Sequence, residues 1–309
     1  SSGGVNILIG GDAGKSLTSG SYNIAIGSGA LDASTVGDDN IAIGLNALGS
    51  LDTAGSDDGD SNIAIGTSAG MSATTMDGAV LIGHEAGKAI TTGDSNVFVG
   101  PYSGAATTTG TMNVGLGHRA LATNIDGDGS VAIGHEALRF LEPSDGHTNN
   151  TAVGFGAGKN TTTGTSNTTI GFQAGTNMTT GGNNTALGAN ALLLNNVGTD
   201  NVAVGQSSLS ANVDGSKSVA VGTSSLESQD PSGATDMYNV AIGQKAGQEV
   251  TTGIKNTVVG GLAGDAITTG SGNTALGYKA AFSAVGAANQ TVIGNGAAGH
   301  GDNIVTIGN

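Results

Sequence analysis

Hydrophobic and polar positions follow one short cassette along this chain, Asn-apolar-small-apolar-Gly, first complete at Asn6 to Gly10 and clearest at Asn23-Ile24-Ala25-Ile26-Gly27. Its closing glycine returns at Gly44, Gly66, Gly83, Gly100, Gly117, Gly134, Gly154 and onward to Gly308. Most steps are 17 residues, with longer ones of 22, 20 and 21 and a final step of 14. A fixed short period of this kind predicts a solenoid in which each repeat is one coil. The residue before the marker glycine is Ile, Val or Leu, the residue two earlier is Ile, Val or Thr, and between them usually sits Ala. Alternation with period two predicts a strand with one branched face and one nearly bare face. The branched row, including Ile133, is expected to be the packed one. Ile133→Asp should then damage folding, whereas Thr223→Asp in a variable column should matter little. The bare Ala face is expected to let another surface approach. In-register parallel strands about 4.8 Å apart would give eighteen coils a length of about 80 to 90 Å.

Asn opens the cassette in most coils, and an amide ladder between neighbouring coils explains it better than a row of ligand-binding amides. Three residues earlier comes a turn glycine, as at Gly20, Gly37, Gly93 and Gly110, for which positive φ is the expected reason. The other half of the coil has two forms. In one, Ala-Gly follows the marker and a larger residue such as Ile90, Val250 or Ile267 comes three positions later. In the other, Leu replaces that Gly, as at Leu31, Leu48, Leu121, Leu192, Leu209 and Leu226, with a later branched residue such as Val36, Ile125, Val197 or Val213. Either form supplies apolar volume to fill the coil. The length insertions, near 49–60, 138–147 and 226–236, all fall in Leu-type coils and in the same turn. The repeat runs unbroken, so residues 1–309 read as a single elongated domain.

Composition narrows the picture further. With 57 Gly, no Trp and few aromatics, the core must be thin. A net charge of −15 with only nine Lys and Arg argues against nucleic acid and anionic membrane as partners. The absence of Cys leaves no disulfide or thiol chemistry. No run of eighteen apolar residues suggests membrane insertion, and Ser1-Ser2-Gly3-Gly4 shows no signal-peptide pattern.

The coil grammar resembles the head repeats of YadA-like trimeric autotransporter adhesins, whose minimal unit is close to the step from Gly294 to Gly308. The full phrase Gly164-Thr165-Ser166-Asn167-Thr168-Thr169-Ile170-Gly171-Phe172-Gln173-Ala174-Gly175 is more similar to repeats of phage tail-fibre and surface proteins that carry a C-terminal self-cleaving intramolecular chaperone. The resemblance covers essentially the whole chain and implies a left-handed β-roll assembled as a homotrimeric fibre. Neither the handedness nor the trimer follows from the spacing. The extra Thr-Thr-Gly turn departs from the adhesin unit, and no stalk, anchor or chaperone segment is visible.

Few residues suggest chemistry. His84, His118 and His135 share the position after the marker glycine; His118 and His135, in consecutive coils, are candidate metal ligands, although Leu45, Phe155 and Tyr278 occupy the same column. Asp57, Asp58 and Asp60 in one turn, and Asp126 with Asp128 in another, offer hard oxygens to calcium but lack the loop and bidentate Glu of an EF-hand. Gly11 to Ser16 resembles a phosphate loop only superficially, since Ile9 stands where its first glycine is required. No catalytic constellation and no cofactor beyond weak calcium is expected. Arg139, Phe140 and Glu142, together with the Asp57, Asp58 and Asp60 turn, are the candidate receptor contacts, because inserted turns escape the constraint of the stack.

These patterns support a non-enzymatic fibre segment of a phage tail fibre or bacterial surface adhesin, extracellular, on a virion or a cell surface. It would form a homotrimer and meet a host cell-surface glycan or protein. The alternatives are an ice-binding or other surface-binding solenoid, suggested by Thr pairs such as Thr91-Thr92 and Thr162-Thr163, and a self-polymerising extracellular filament subunit.

Overall fold

The computed structural model describes residues 3–52, 59–143 and 146–308, and among these there is no helix. The chain is an all-β parallel solenoid with a 17-residue coil and divides into two compact units, Ser1–Val153 and Gly154–Asn309. The first unit contains β1 (Ile7–Ile9), β2 (Ile24–Ile26), β3 (Ile41–Ile43), β4 (Ile63–Ile65), β5 (Val80–Ile82), β6 (Val97–Val99), β7 (Val114–Leu116), β8 (Val131–Ile133) and β9 (Thr151–Val153). Each pairs in parallel with the next, residue for residue, as in Ile24↔Ile41 and Val114↔Val131.

The second unit contains β10 (Thr168–Ile170), β11 (Thr185–Leu187), β12 (Val202–Val204), β13 (Gly215–Ser216), β14 (Val219–Val221), β15 (Thr235–Asp236), β16 (Val240–Ile242), β17 (Thr257–Val259), β18 (Thr274–Leu276), β19 (Thr291–Ile293) and β20 (Val305–Ile307). The three-residue strands stack in the same register, and β13 pairs with β15 where the third insertion departs from the coil.

Strand orientation reverses the expectation. The central residue of the strand faces the interior: Ala25, Ala42, Ala132 and Ala152 in the first unit, and Ala186, Ala203 and Ala241 in the second, are fully buried. The branched residues on either side face out, with Ile133 37% and Leu187 43% exposed. Ile133 is therefore not a core residue, and the face open to another surface is the branched one rather than the Ala one. The physical reason is coil width. In most coils the interior opposite the strand is already filled by side chains from the far turn, so a small group fits beneath it, although Leu81, Phe98, Val258 and Val292 take the same inward position in a few.

The filling follows one rule in both units. In all but the last coils the fourth residue after the marker is left-handed, either glycine (Gly87, φ 55; Gly247, φ 57) or leucine (Leu31, φ 52; Leu209, φ 48), whereas Ala281 and Ala298 stand there after Gly277 and Gly294. Where it is glycine, the residue three positions on is large and buried in several coils, as Ile90, Met178, Val250 and Ile267 are, while Ala73, Thr107 and Thr161 stand there in others. Where it is leucine, the leucine itself fills the space, and the residue three on is a buried Ser34, Leu51, Asn124, Leu141, Asn212 or Gln229. The later branched residues do not plug the core: Ile125 is exposed, and Val36, Val197 and Val213 are only half-buried.

Backbones also stack closely at the marker. Gly117 has φ +139, and a Cβ there would lie 2.5 Å from the carbonyl oxygen of Gly134. The turn glycines serve a different purpose from the one expected, because their φ is not positive. A Cβ on Gly93 would lie 2.3 Å from the Gly110 carbonyl oxygen, so the requirement is contact between turns. Positive φ falls instead on the residue before the ladder Asn, as at Tyr22, Ser95 and Met112. The asparagine ladder itself is present. Asn23 Oδ1 accepts the backbone N–H of Asn40 at 2.9 Å, and Asn23 Nδ2 donates to the Gly37 carbonyl at 2.7 Å. These bonds satisfy buried backbone groups that short strands leave over.

Candidate functional site

The column after the marker glycine lies at the corner where the strand ends, and in the first unit it gathers aromatic and cationic side chains. His84 and Tyr102 have ring centroids 5.2 Å apart, Tyr102 and His118 6.0 Å, and His118 and His135 5.1 Å in a nearly parallel stack. Tyr102 and Arg119 stand one residue beyond the column, in the left-handed conformation (φ 59 at both), which turns them back towards it. The Arg119 guanidinium lies 5.8 Å from the Tyr102 ring centre. His118 is half-buried; burial first, then the charges of Arg119 and His135, hold its imidazole below the ordinary range and favour the neutral ring. Its Nδ1 is shielded and has no hydrogen-bond partner.

The structure thus brings His118 and His135 together, but as stacked rings. Among the described residues no group of three or more His, Asp or Glu side chains is placed to hold a metal ion. In the second unit Phe155 and Phe172 stack in the same column, 5.6 Å apart.

Around the second insertion, Arg139 lies 4.6 Å from the centre of the Phe140 ring, as a cation over an aromatic face. The acid paired with Arg139 is not the expected Glu142, which is exposed, but Glu136 in the preceding turn, whose side chain is largely buried. The three-residue cluster is therefore Glu136, Arg139 and Phe140. Both acids stand three residues from Arg139, so distance along the chain does not choose between them; Glu142 shares the inserted turn, whereas Glu136 has a left-handed backbone (φ 57) and is the acid that meets Arg139.

Asp57 and Asp58 lie outside the described residues, but Asp60 belongs to a feature that residue spacing could have disclosed. Asp38, Asp60, Asp77 and Asp94 follow or lie beside the turn in consecutive coils. Asp60 Oδ1 accepts the Asp38 N–H at 2.7 Å, Asp77 Oδ1 accepts the Asp60 N–H at 2.7 Å, and Asp94 Oδ1 accepts the Asp77 N–H at 2.9 Å. Asp128 repeats the bond with Thr111, accepting its N–H at 2.6 Å. These carboxylates cap turns, which accounts for the acidic column without a cation.

Burial raises the Asp60 carboxyl above its ordinary range, the neighbouring charges of Asp38, Asp77 and Asp39 add to this, and the Asp38 N–H bond acts against it. A raised folded value means that the folded state binds the proton more tightly than the unfolded chain. The group therefore opposes folding at neutral pH, and stability rises as pH falls through the folded value. Asp60→Asn keeps the Oδ1 acceptor without the charge. It is expected to melt above the wild type at pH 7, with the difference narrowing on acidification; equal melting points at pH 7 would contradict this account.

The threonine pairs are likewise committed within the stack. Thr91 Oγ1 donates to the Thr108 carbonyl at 3.1 Å, and Thr162 Oγ1 to the Thr179 carbonyl at 3.0 Å, so the first hydroxyl of each pair serves its neighbouring coil. No described helix is long and apolar enough to cross a membrane. No protein-family model matches the chain, and no curated protein shows significant similarity to it.

Proposed function

We propose that this chain is a non-enzymatic structural and adhesive fibre segment, of the phage tail-fibre or bacterial surface-adhesin kind, whose copies assemble as a homotrimer through the branched face of the strands. The carrying observation is the outward row itself. In the first unit Leu116, Ile133 and Val153 follow one another in register on the outside of the sheet, and in the second Leu187, Val204, Val221 and Ile242 do the same. Monomeric proteins seldom leave long contiguous apolar surfaces in water, and such surfaces usually mark interfaces. The resemblance of the coil phrase to trimeric adhesin and tail-fibre repeats supports three copies. In this reading the segment is extracellular, spaces or presents a host-binding surface, and meets a cell-surface glycan or protein.

Light scattering across a dilution series tests the assembly. The expected result is a constant mass near three times the 29.6 kDa chain. A stable monomer at micromolar concentration would overturn the proposal, and a mass that keeps growing with concentration would support the filament reading instead.

A further inference from the structure

We propose that His84, Tyr102, Arg119 and His135, with His118 stacked between them, form a binding site for an acidic glycan chain laid along the stacking direction of the first unit. This deepens the adhesive reading above and rests on it, naming the ligand class and the residues that would grip it.

Rarity is the first argument. The chain carries only nine Lys and Arg and few aromatic rings against a net charge of −15, yet both arginines and three of its five histidines fall between His84 and Arg139. Scaffold demands do not explain them, since the same column elsewhere accepts Ser28, Thr67 and Gln206.

The second argument is the state of the cations. Lys88 is paired with Glu85 at 3.2 Å, and Arg139 is paired with Glu136. Among the described residues no carboxylate pairs with Arg119, whose only side-chain neighbour of this kind is the Tyr102 ring. An uncommitted guanidinium is a fork of donors suited to carboxylate, sulfate or phosphate oxygens. His84 and His135 are exposed and Tyr102 half-buried, so imidazole and phenol groups flank that fork with further hydrogen-bonding edges.

Spacing is the third. Ring centroids follow one another at 5.2, 6.0 and 5.1 Å, one group per coil over four coils. A coil repeat of about 4.8 Å is close to the advance of one sugar ring along an extended polysaccharide, so successive sugars can meet successive side chains. Nucleic acid, also a regular polyanion, fits less well. Its binding rests on neutralising many phosphates at once, whereas one guanidinium can hold one sugar acid while the flanking imidazole and phenol edges meet the hydroxyls of its neighbours.

The test uses the full chain and measures binding to immobilised polygalacturonate, dextran sulfate, uncharged dextran and a single-stranded oligonucleotide. Binding to polygalacturonate or dextran sulfate but not to dextran is expected, and the two acidic arms distinguish a carboxylate-bearing from a sulfate-bearing ligand. Arg119→Gln should weaken binding at least tenfold, and His135→Ala severalfold, with melting temperatures unchanged. Arg119→Lys should not restore full affinity, because the fork is lost. Failure to bind either acidic glycan, undiminished binding by Arg119→Gln, or equal binding to the oligonucleotide overturns the site. Because trimer mass is measured independently, loss of this site and failure of the fibre reading are distinguishable.

Discussion

Ala132→Asp is expected to prevent folding, whereas Ile133→Asp, one residue along, should leave a folded chain that no longer assembles. Ala132 is fully buried in the coil interior, in register between Gly115 and Ala152. A carboxylate placed there has no cationic partner and loses its hydration, at a cost of several kcal/mol. That is comparable to the whole stability of an ordinary domain, about 5 to 15 kcal/mol. Ile133 points outward between Leu116 and Val153, so an aspartate at 133 remains in water in the isolated chain and loses only partial packing. In the proposed trimer the same charge enters an apolar contact from every copy. Circular dichroism and light scattering on both variants would separate the two effects. Equal loss of secondary structure would show that the outward assignment of the branched face is wrong.

Phe98→Ala is expected to cost about 3 to 5 kcal/mol, the range for truncating a buried aromatic side chain. Phe98 occupies the inward strand position that is usually alanine, and it is fully buried. Its neighbours have been reduced to make room. A Cβ on Gly104 would lie 2.3 Å from the ring, and one on Gly115, the in-register residue of β7, would lie 2.9 Å from it and 2.6 Å from Ser103 Oγ. Gly115→Ala in the wild type should therefore overpack the coil, at about 1 to 3 kcal/mol. In the Phe98→Ala background the same substitution should cost less, because the ring contact is gone and the Ser103 Oγ contact remains. Denaturant unfolding of the four proteins gives the coupling between the two sites. Simple additivity would mean that ring and glycine do not share one space.

Much of this protein was legible in one dimension. The 17-residue period, strands ending at the marker glycine, the asparagine ladder, and the compensation between Leu31-type and Ile90-type coils all follow from local spacing. A solenoid repeats the same local environment, and so do the residues that serve it. What only the tertiary structure decided is where each pattern points. Period-two alternation separates the faces of a strand but does not say which is inside; that depends on how much volume the far turn supplies, and where Leu31 and Leu121 fill the coil the inward strand residues are alanine or glycine, as at Ala25, Ala42, Gly115 and Ala132. The candidate site shows the same division. Its histidine column could be counted along the chain, but Tyr102 and Arg119 join it, and Glu136 rather than Glu142 meets Arg139, because left-handed backbone torsions bring side chains from a neighbouring position into the same stripe. Positive φ recurs at the second residue after the marker in coil after coil, on Asn46, Ser68 and Lys245 as on Tyr102, Arg119 and Glu136, so it belongs to the coil and no residue type announces it.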